Sequence, residues 1–141
     1  MRTGIIIFIL LVSYSHSDLV HTQQTDELKL RERGHFVNDK KEGIWEYFNE
    51  NSELISKGNY QNDKKEGGWQ VFYEDGGLEQ QGDFVNNKQE GTWQYFYTNG
   101  QLKTQGAWLD DKREGYWEHF DENGQFVELE KFNEGIPQDK K

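Results

Sequence analysis

Aromatic and polar residues alternate along most of this chain, and the alternation restarts every 24 residues. Trp45, Trp69, Trp93 and Trp117 keep that spacing, as do Gly34, Gly58, Gly82 and Gly106, and then Gly43, Gly67, Gly91 and Gly115. A fixed period of this size marks one supersecondary unit copied along the chain, each copy burying its face against its neighbours. In the copy at residues 82–105, the run 92–97 is aromatic and β-forming and leads to Asn99-Gly100, a strong signal for a two-residue hairpin turn. A second run, 102–108, leads into the charged segment 110–115, which reads as a longer loop closed by glycine. The same segment is NDKKEG at 38–43 and 62–67, and NNKQEG at 86–91. Each copy is therefore expected to be two antiparallel strands. The whole is expected to be all-β: a single-layer antiparallel meander, or solenoid, of about nine strands built from repeated β-hairpins.

A two-residue turn at Asn99-Gly100 sets a register that pairs Tyr97 with Leu102, Tyr95 with Thr104 and Trp93 with Gly106. It likewise pairs Trp69 with Gly82 and Trp45 with Gly58, so each ring is expected to lie over the bare backbone of the glycine opposite. Trp117 meets Glu130 instead, which marks the last unit as a cap. Because side chains alternate across a strand, Trp69, Val71, Tyr73, Leu78, Gly82 and Phe84 share one face, and Gln70, Glu74, Glu79, Gln81 and Asp83 the other. Phe48, Phe72, Phe96 and Phe120 fall on the polar side in this register. Two readings stay open for them: a bulge turns them inward, or they form an exposed aromatic row and a candidate binding surface.

The repeats occupy residues 28–136, with copies starting at 34, 58, 82 and 106, and residues 137–141 form a tail. Residues 1–17 hold Arg2, an apolar run from Ile5 to Val12 and then small residues, the pattern of an export signal. Residues 18–27 are polar and read as a disordered linker. The expected location is therefore the periplasm, the cell envelope or the medium. There is no cysteine, so stability rests on packing rather than disulfides. The net charge is −10, and loss of Arg2 with the signal makes it −11. That balance disfavours nucleic acid and stable binding to anionic membranes, and suits a basic protein partner.

The sequence Lys-Lys-Glu-Gly-x-Trp-x-x-Phe-Tyr-x-x-Gly-x-Leu-x-x-x-Gly-x-Phe, from Lys64 to Phe84, resembles the MORN repeat, in the variant form of YwqK-type antitoxin proteins. The resemblance extends over roughly residues 26–136. It implies a ribbon of β-hairpins that binds or scaffolds proteins, with no catalytic residues in the repeat. The antitoxin branch implies neutralisation of a toxin, and the acid excess would suit a basic one.

Catalytic chemistry is not visible. His16, His21, His35 and His119 have no metal-ligand spacing, and no nucleophile sits beside a base. His119 stands where other copies have Tyr47, Val71 and Tyr95, a packed position. Glu42, Glu66, Glu90 and Glu114 recur beside Lys40, Lys64, Lys88 and Lys112, which points to local turn electrostatics rather than paired catalytic carboxylates. The loops lack the alternating ligands of a calcium site. No cofactor and no metal is expected, and no enzyme. Three binding roles follow: a protein scaffold that engages a partner or a second copy through the apolar face, a toxin-neutralising protein, or an envelope glycan binder in which the tryptophans stack on sugar.

Overall fold

The computed structural model describes residues 31–138. The export signal, the linker, the start of the repeat region at residues 28–30, His16 and His21 lie outside the described residues. Ten strands run in chain order through one open antiparallel sheet. They are β1 (Glu32–Val37), β2 (Lys40–Phe48), β3 (Leu54–Gln61), β4 (Lys64–Phe72), β5 (Leu78–Val85), β6 (Lys88–Phe96), β7 (Leu102–Leu109), β8 (Lys112–Phe120), β9 (Phe126–Asn133) and β10 (Ile136–Pro137). The meander expected from the repeat is therefore the fold. Pro137 belongs to β10 rather than to the tail.

The two kinds of turn are exchanged relative to the sequence reading. The segments taken for long charged loops are the tight ones. Asn62 and Asp63 both have positive φ, and Gln61 pairs directly with Lys64. Two consecutive left-handed residues make the two-residue type I′ hairpin. The same holds at Asn38-Asp39, Asn86-Asn87, Asp110-Asp111 and Glu134-Gly135. Lys64, Lys65 and Glu66 are therefore strand residues. At the Asn-Gly sites only the glycine is left-handed: Gly100 has φ +83° while Asn99 does not have positive φ. The Gly100 N–H donates to Tyr97 O at 2.9 Å and the Tyr97 N–H donates to Gln101 O at 2.8 Å. This is a three-residue loop, a type I turn closed by a left-handed glycine. Asn99 acts through its side chain, accepting from the Gln101 N–H at 2.9 Å.

That change of loop moves a row of side chains. Trp93 still faces Gly106 and Tyr95 still faces Thr104, but Leu102 faces Phe96 rather than Tyr97. The register shift recurs between Tyr47 and Phe48, Val71 and Phe72, and His119 and Phe120. The bulge lies in the odd-numbered strand. It does not bring phenylalanine inward; it carries Leu54, Leu78, Leu102 and Phe126 out to the phenylalanine side. Directly opposed residues share a face, so Leu78 leaves the tryptophan face to which alternation assigned it.

A second irregularity closes the core. Gly43, Gly67, Gly91 and Gly115 have φ near +70°, a conformation that costs glycine little, and each sits inside an even strand. There the strand folds over its own apolar side. The ladder slips at this point: Gly58 faces Trp69, while Tyr60, two residues on, faces Lys65, four residues back. In the first copy the Lys41 ammonium reaches the Tyr47 hydroxyl at 3.1 Å and lies 4.0 Å from the centre of the Trp45 ring. The curl buries Trp45, Trp69, Trp93 and Trp117 to between 0 and 4% exposure within a single sheet. Rings from the odd strands meet them edge-on: Phe36 on Trp45 at 4.9 Å, Tyr60 on Trp69 at 5.6 Å, Phe84 on Trp93 at 5.2 Å and Trp108 on Trp117 at 5.6 Å. Such pairs contribute about 0.5–1.5 kcal/mol each beyond the area they bury.

The glycines under the rings are not the ones expected. A Cβ added to Gly34, Gly58, Gly82 or Gly106 would land on the ring of Trp45, Trp69, Trp93 or Trp117 respectively. Each ring thus covers the glycine of the strand before it. Trp117 does face Glu130 on its other side, yet it keeps its glycine, Gly106. The indole N–H groups of Trp69, Trp93 and Trp117 donate to the carbonyls of Asn59, Asp83 and Ala107, one residue beyond that glycine. The Trp45 N–H has no such partner.

Candidate functional site

Three surfaces remain once the tryptophans are enclosed. The first is the outer, polar face. Gln70 donates to Gln81 at 3.3 Å, Gln81 to Gln94 at 2.9 Å, Gln94 to Gln105 at 3.1 Å and Gln105 to the Glu118 carboxylate at 2.7 Å. This ladder of amides crosses β4 to β8 at right angles to the strands. Toward β1 the row continues as Lys57, Glu46 and Arg33, in which the Arg33 Nε donates to Glu46 at 2.6 Å.

Phe48, Phe72, Phe96 and Phe120 run beside the ladder on the same face. Arg33 sits 5.5 Å from the Phe48 ring centre and Lys57 5.7 Å from that of Phe72. Their pairing with Leu54, Leu78, Leu102 and Phe126 leaves the phenylalanines half-buried. The row is neither turned into the core nor laid bare. Part of the ladder borders a trough of about 580 Å³ lined by Ile44, Glu46, Lys57, Gly68, Gln70, Gln81, Asp83, Thr92 and Gln94, with Gly58, Trp69 and Gly82 along its floor.

The second surface is the line of type I′ turns. The Glu42 carboxylate accepts the Asn62 N–H at 2.9 Å, Glu66 that of Asn86 at 2.9 Å, Glu90 that of Asp110 at 3.1 Å and Glu114 that of Glu134 at 2.9 Å. In return, Asp63, Asn87 and Asp111 side chains accept the N–H groups of Lys41, Lys65 and Gln89 at 2.6–2.7 Å. The recurrent glutamates are therefore caps between one turn and the next, not partners of the adjacent lysines. Among the cations of this edge, Lys88 has a raised pKa because its ammonium donates a hydrogen bond to the Asp110 carboxylate, whose charge also favours the protonated form. Lys65, over Trp69, has a lowered one through burial.

The third surface is the last hairpin. Phe126, Val127 and Leu129 of β9 are exposed by 58, 59 and 44%. β10 pairs with Phe132 and Asn133, and the Gln138 N–H donates to Lys131 O at 2.8 Å, so among the described residues no strand lies beside β9 from Phe126 to Glu130. His119, half-buried on β8, lies opposite Thr104 and Glu128, with its Nε2 3.4 Å from the Glu130 carboxylate. His35 is far from it, opposite Glu42 on β1. Among the described residues no His, Asp or Glu cluster holds metal-ligand geometry, and no helix is long and apolar enough to cross a membrane.

The tryptophan row proposed for sugar stacking is closed to any ligand, because Trp45, Trp69, Trp93 and Trp117 are buried. Around the enclosed tryptophans the apolar face keeps Tyr47, Tyr60, Val71, Phe84, Tyr95 and Trp108 half-buried. Sequence reasoning missed both the amide ladder and the exposed last hairpin. The ladder was legible as glutamine at 70, 81, 94 and 105, spaced alternately 11 and 13 residues apart.

No curated protein matches this chain closely enough to count as a relative. The model of the MORN repeat variant matches four times, at residues 41–62, 65–86, 89–108 and 113–133. With more than half of its length matched, and with the hairpins and the tryptophan rows of each match in place, the chain belongs to the MORN repeat variant family.

Proposed function

We propose that this protein is a non-enzymatic, exported scaffold whose protein partner adds a strand to the open edge of β9. The observation that carries this reading is the run of exposed Phe126, Val127 and Leu129 on an edge that β10 covers only at its end. Natural sheets blunt such edges with charge, proline or a covering segment, and peptide partners use uncovered ones to extend the sheet. Glu118, Glu128, Glu130 and Glu134 lie on or beside the edge, so the partner is basic. The recurrent glutamates cap turns, which supports a structural use for them. A narrower form of the reading makes the partner a secreted basic toxin, drawing on the acid excess and the antitoxin-like repeat. Export by residues 1–17 would place the edge outside the cytoplasm.

The test compares the full chain with a Val127→Lys, Leu129→Lys variant in capture from its own envelope fraction. The partner should be retained by the first and lost at least tenfold by the second, with unchanged circular dichroism. Equal capture by both would remove β9 from the interface. Sedimentation of the purified protein distinguishes a second copy as occupant, because that dimer would dissociate on dilution and vanish in the variant.

A further inference from the structure

The outer trough has a chemistry of its own, independent of β9. The row that flanks the amide ladder reads Ile44, Gly68, Thr92 and Tyr116 in successive copies. Ile44 and Tyr116 are each 59% exposed and stand up from the sheet, whereas Gly68 has no side chain. A Cβ at Gly68 would meet only the Asp83 carboxylate, at 3.8 Å, so the space above it is open. The trough exists because one copy of four carries glycine here.

The wall beside that gap carries the amides of Gln70, Gln81 and Gln94 over three strands, with Lys57 and the Asp83 carboxylate, one charge of each sign, beside them. An amide side chain offers two donors and two acceptor lone pairs. Gln81 and Gln94 each use one donor and one acceptor within the ladder. Each retains one N–H and one lone pair, and the ladder holds them in fixed orientation. Thr92 adds a hydroxyl, and Ile44 adds an exposed apolar surface at one end. Glu46 is already paired with Arg33.

The rungs follow strand spacing, about 4.8 Å. That is close to the length one hexose ring adds to an extended β-linked chain. An extended peptide laid along the same line would present equivalent groups about 6.6 Å apart, out of step with the rungs. Hydroxyls that both donate and accept match the spare capacity of an amide, and they carry no charge.

We propose that this trough binds a neutral, extended β-linked oligosaccharide, which runs across β2 to β6 with successive rings hydrogen-bonded to Gln70, Gln81 and Gln94 and one apolar ring face against Ile44.

Calorimetric titration of the full chain with neutral β-linked hexasaccharides of glucose, N-acetylglucosamine, mannose and galactose tests this. At least one should bind, and its affinity should change less than twofold between 50 and 500 mM salt. Gly68→Phe fills the trough where there is room for a ring, and should weaken binding at least tenfold with an unchanged melting temperature. Gln81→Leu interrupts the ladder at its centre and should weaken it similarly; it serves as the second probe should the Gly68 variant fold poorly. Tyr116→Ser, outside the trough, should bind as the parent does. Absence of binding to every sugar, full binding by both trough variants, or displacement of the sugar only by charged peptides would overturn the assignment.

Discussion

The inner and outer faces of this sheet have been copied with different strictness. On the inner face every unit keeps its tryptophan and the glycine beneath it. The ring that meets the tryptophan edge-on changes only among Phe36, Tyr60, Phe84, Trp108 and Phe132. On the outer face only the half-buried Phe48, Phe72, Phe96 and Phe120 recur unchanged; the row beside the ladder runs Ile44, Gly68, Thr92, Tyr116, and the bulge position runs Ile55, Glu79, Lys103, Val127. The inner set must close a curl with no tolerance for an added methyl. The outer set touches solvent and can differ from copy to copy. Constancy here marks what holds the ribbon shut, and variation marks where the copies acquire separate uses.

That contrast is easiest to break at its centre. Trp69→Ala removes a buried ring between Tyr60 and Phe84, and should cost about 3–5 kcal/mol. A fall in melting temperature of under 5 °C, followed by circular dichroism, would deny the ring its central place. Gly82→Ala should come next. Its methyl lands on the Trp93 ring, and overpacking of this kind costs about 1–3 kcal/mol. Gly68→Ala on the outer face is the matched control, since its added carbon meets only the Asp83 carboxylate, and it should be close to neutral. Equal losses for the two glycines would erase the distinction between faces.

Alkaline pH gives a smaller effect on the same inner face. Burial raises the pKa of Tyr47, Tyr60 and Tyr95, and for Tyr60 its bond with Tyr47 adds to the rise. The folded protein therefore keeps these protons above pH 10, where unfolded tyrosine loses them, so stability present below that pH declines as pH rises. Lys65 runs the other way: its lowered pKa means its burial becomes less unfavourable as pH approaches the 10.5 of a free lysine. Tyr73 and Lys88, both with raised pKa, act with the three tyrosines, so Lys65 opposes them alone and the net is a loss. The urea midpoint should drop between pH 9 and pH 11.5, and less steeply in Tyr60→Phe; an unchanged midpoint would contradict the burial of these hydroxyls.

The turn caps should matter less. Glu90→Ala leaves the Asp110 N–H without its carboxylate at a solvent-exposed turn, a loss of about 1 kcal/mol. Faster amide exchange at residue 110, with little change at the Trp93 indole, is the expected signature. Gln81→Leu should be smallest, within about 0.5 kcal/mol of the parent, because surface substitutions away from caps and core rarely do more.

The period made the fold legible: Trp93 opposite Gly106 follows from counting outward from Asn99-Gly100, and it is observed. What escaped was local backbone geometry. Asn-Gly and Asn-Asp both favour left-handed residues, and the tighter of two candidate turns cannot be told from composition when charged residues that look like loop belong to a strand. Misplacing the tight turn by one connection sent Leu78 to the wrong face. Nothing in the alternation announced that Gly43 and its equivalents would fold each even strand over its tryptophan, so the apolar side looked unpartnered. The candidate surfaces were hidden for the opposite reason. A repeat directs attention to what recurs, whereas Gly68 and the Phe126, Val127, Leu129 run are departures from it.

Strand order equal to chain order has a consequence for length. Each long strand pairs only with the one before and the one after, and the ring contacts and turn caps that skip a strand, such as Tyr47 on Trp69 and Tyr95 on Trp117, reach no more than one unit ahead. Removing 24 residues between equivalent points would therefore sever no contact that the rejoined chain could not remake. The molecule behaves as a ruler graduated in hairpins. Gene duplication or deletion can move its two ends apart or together in steps of about 10 Å, the width of two strands, while the cost of closing each loop stays the same.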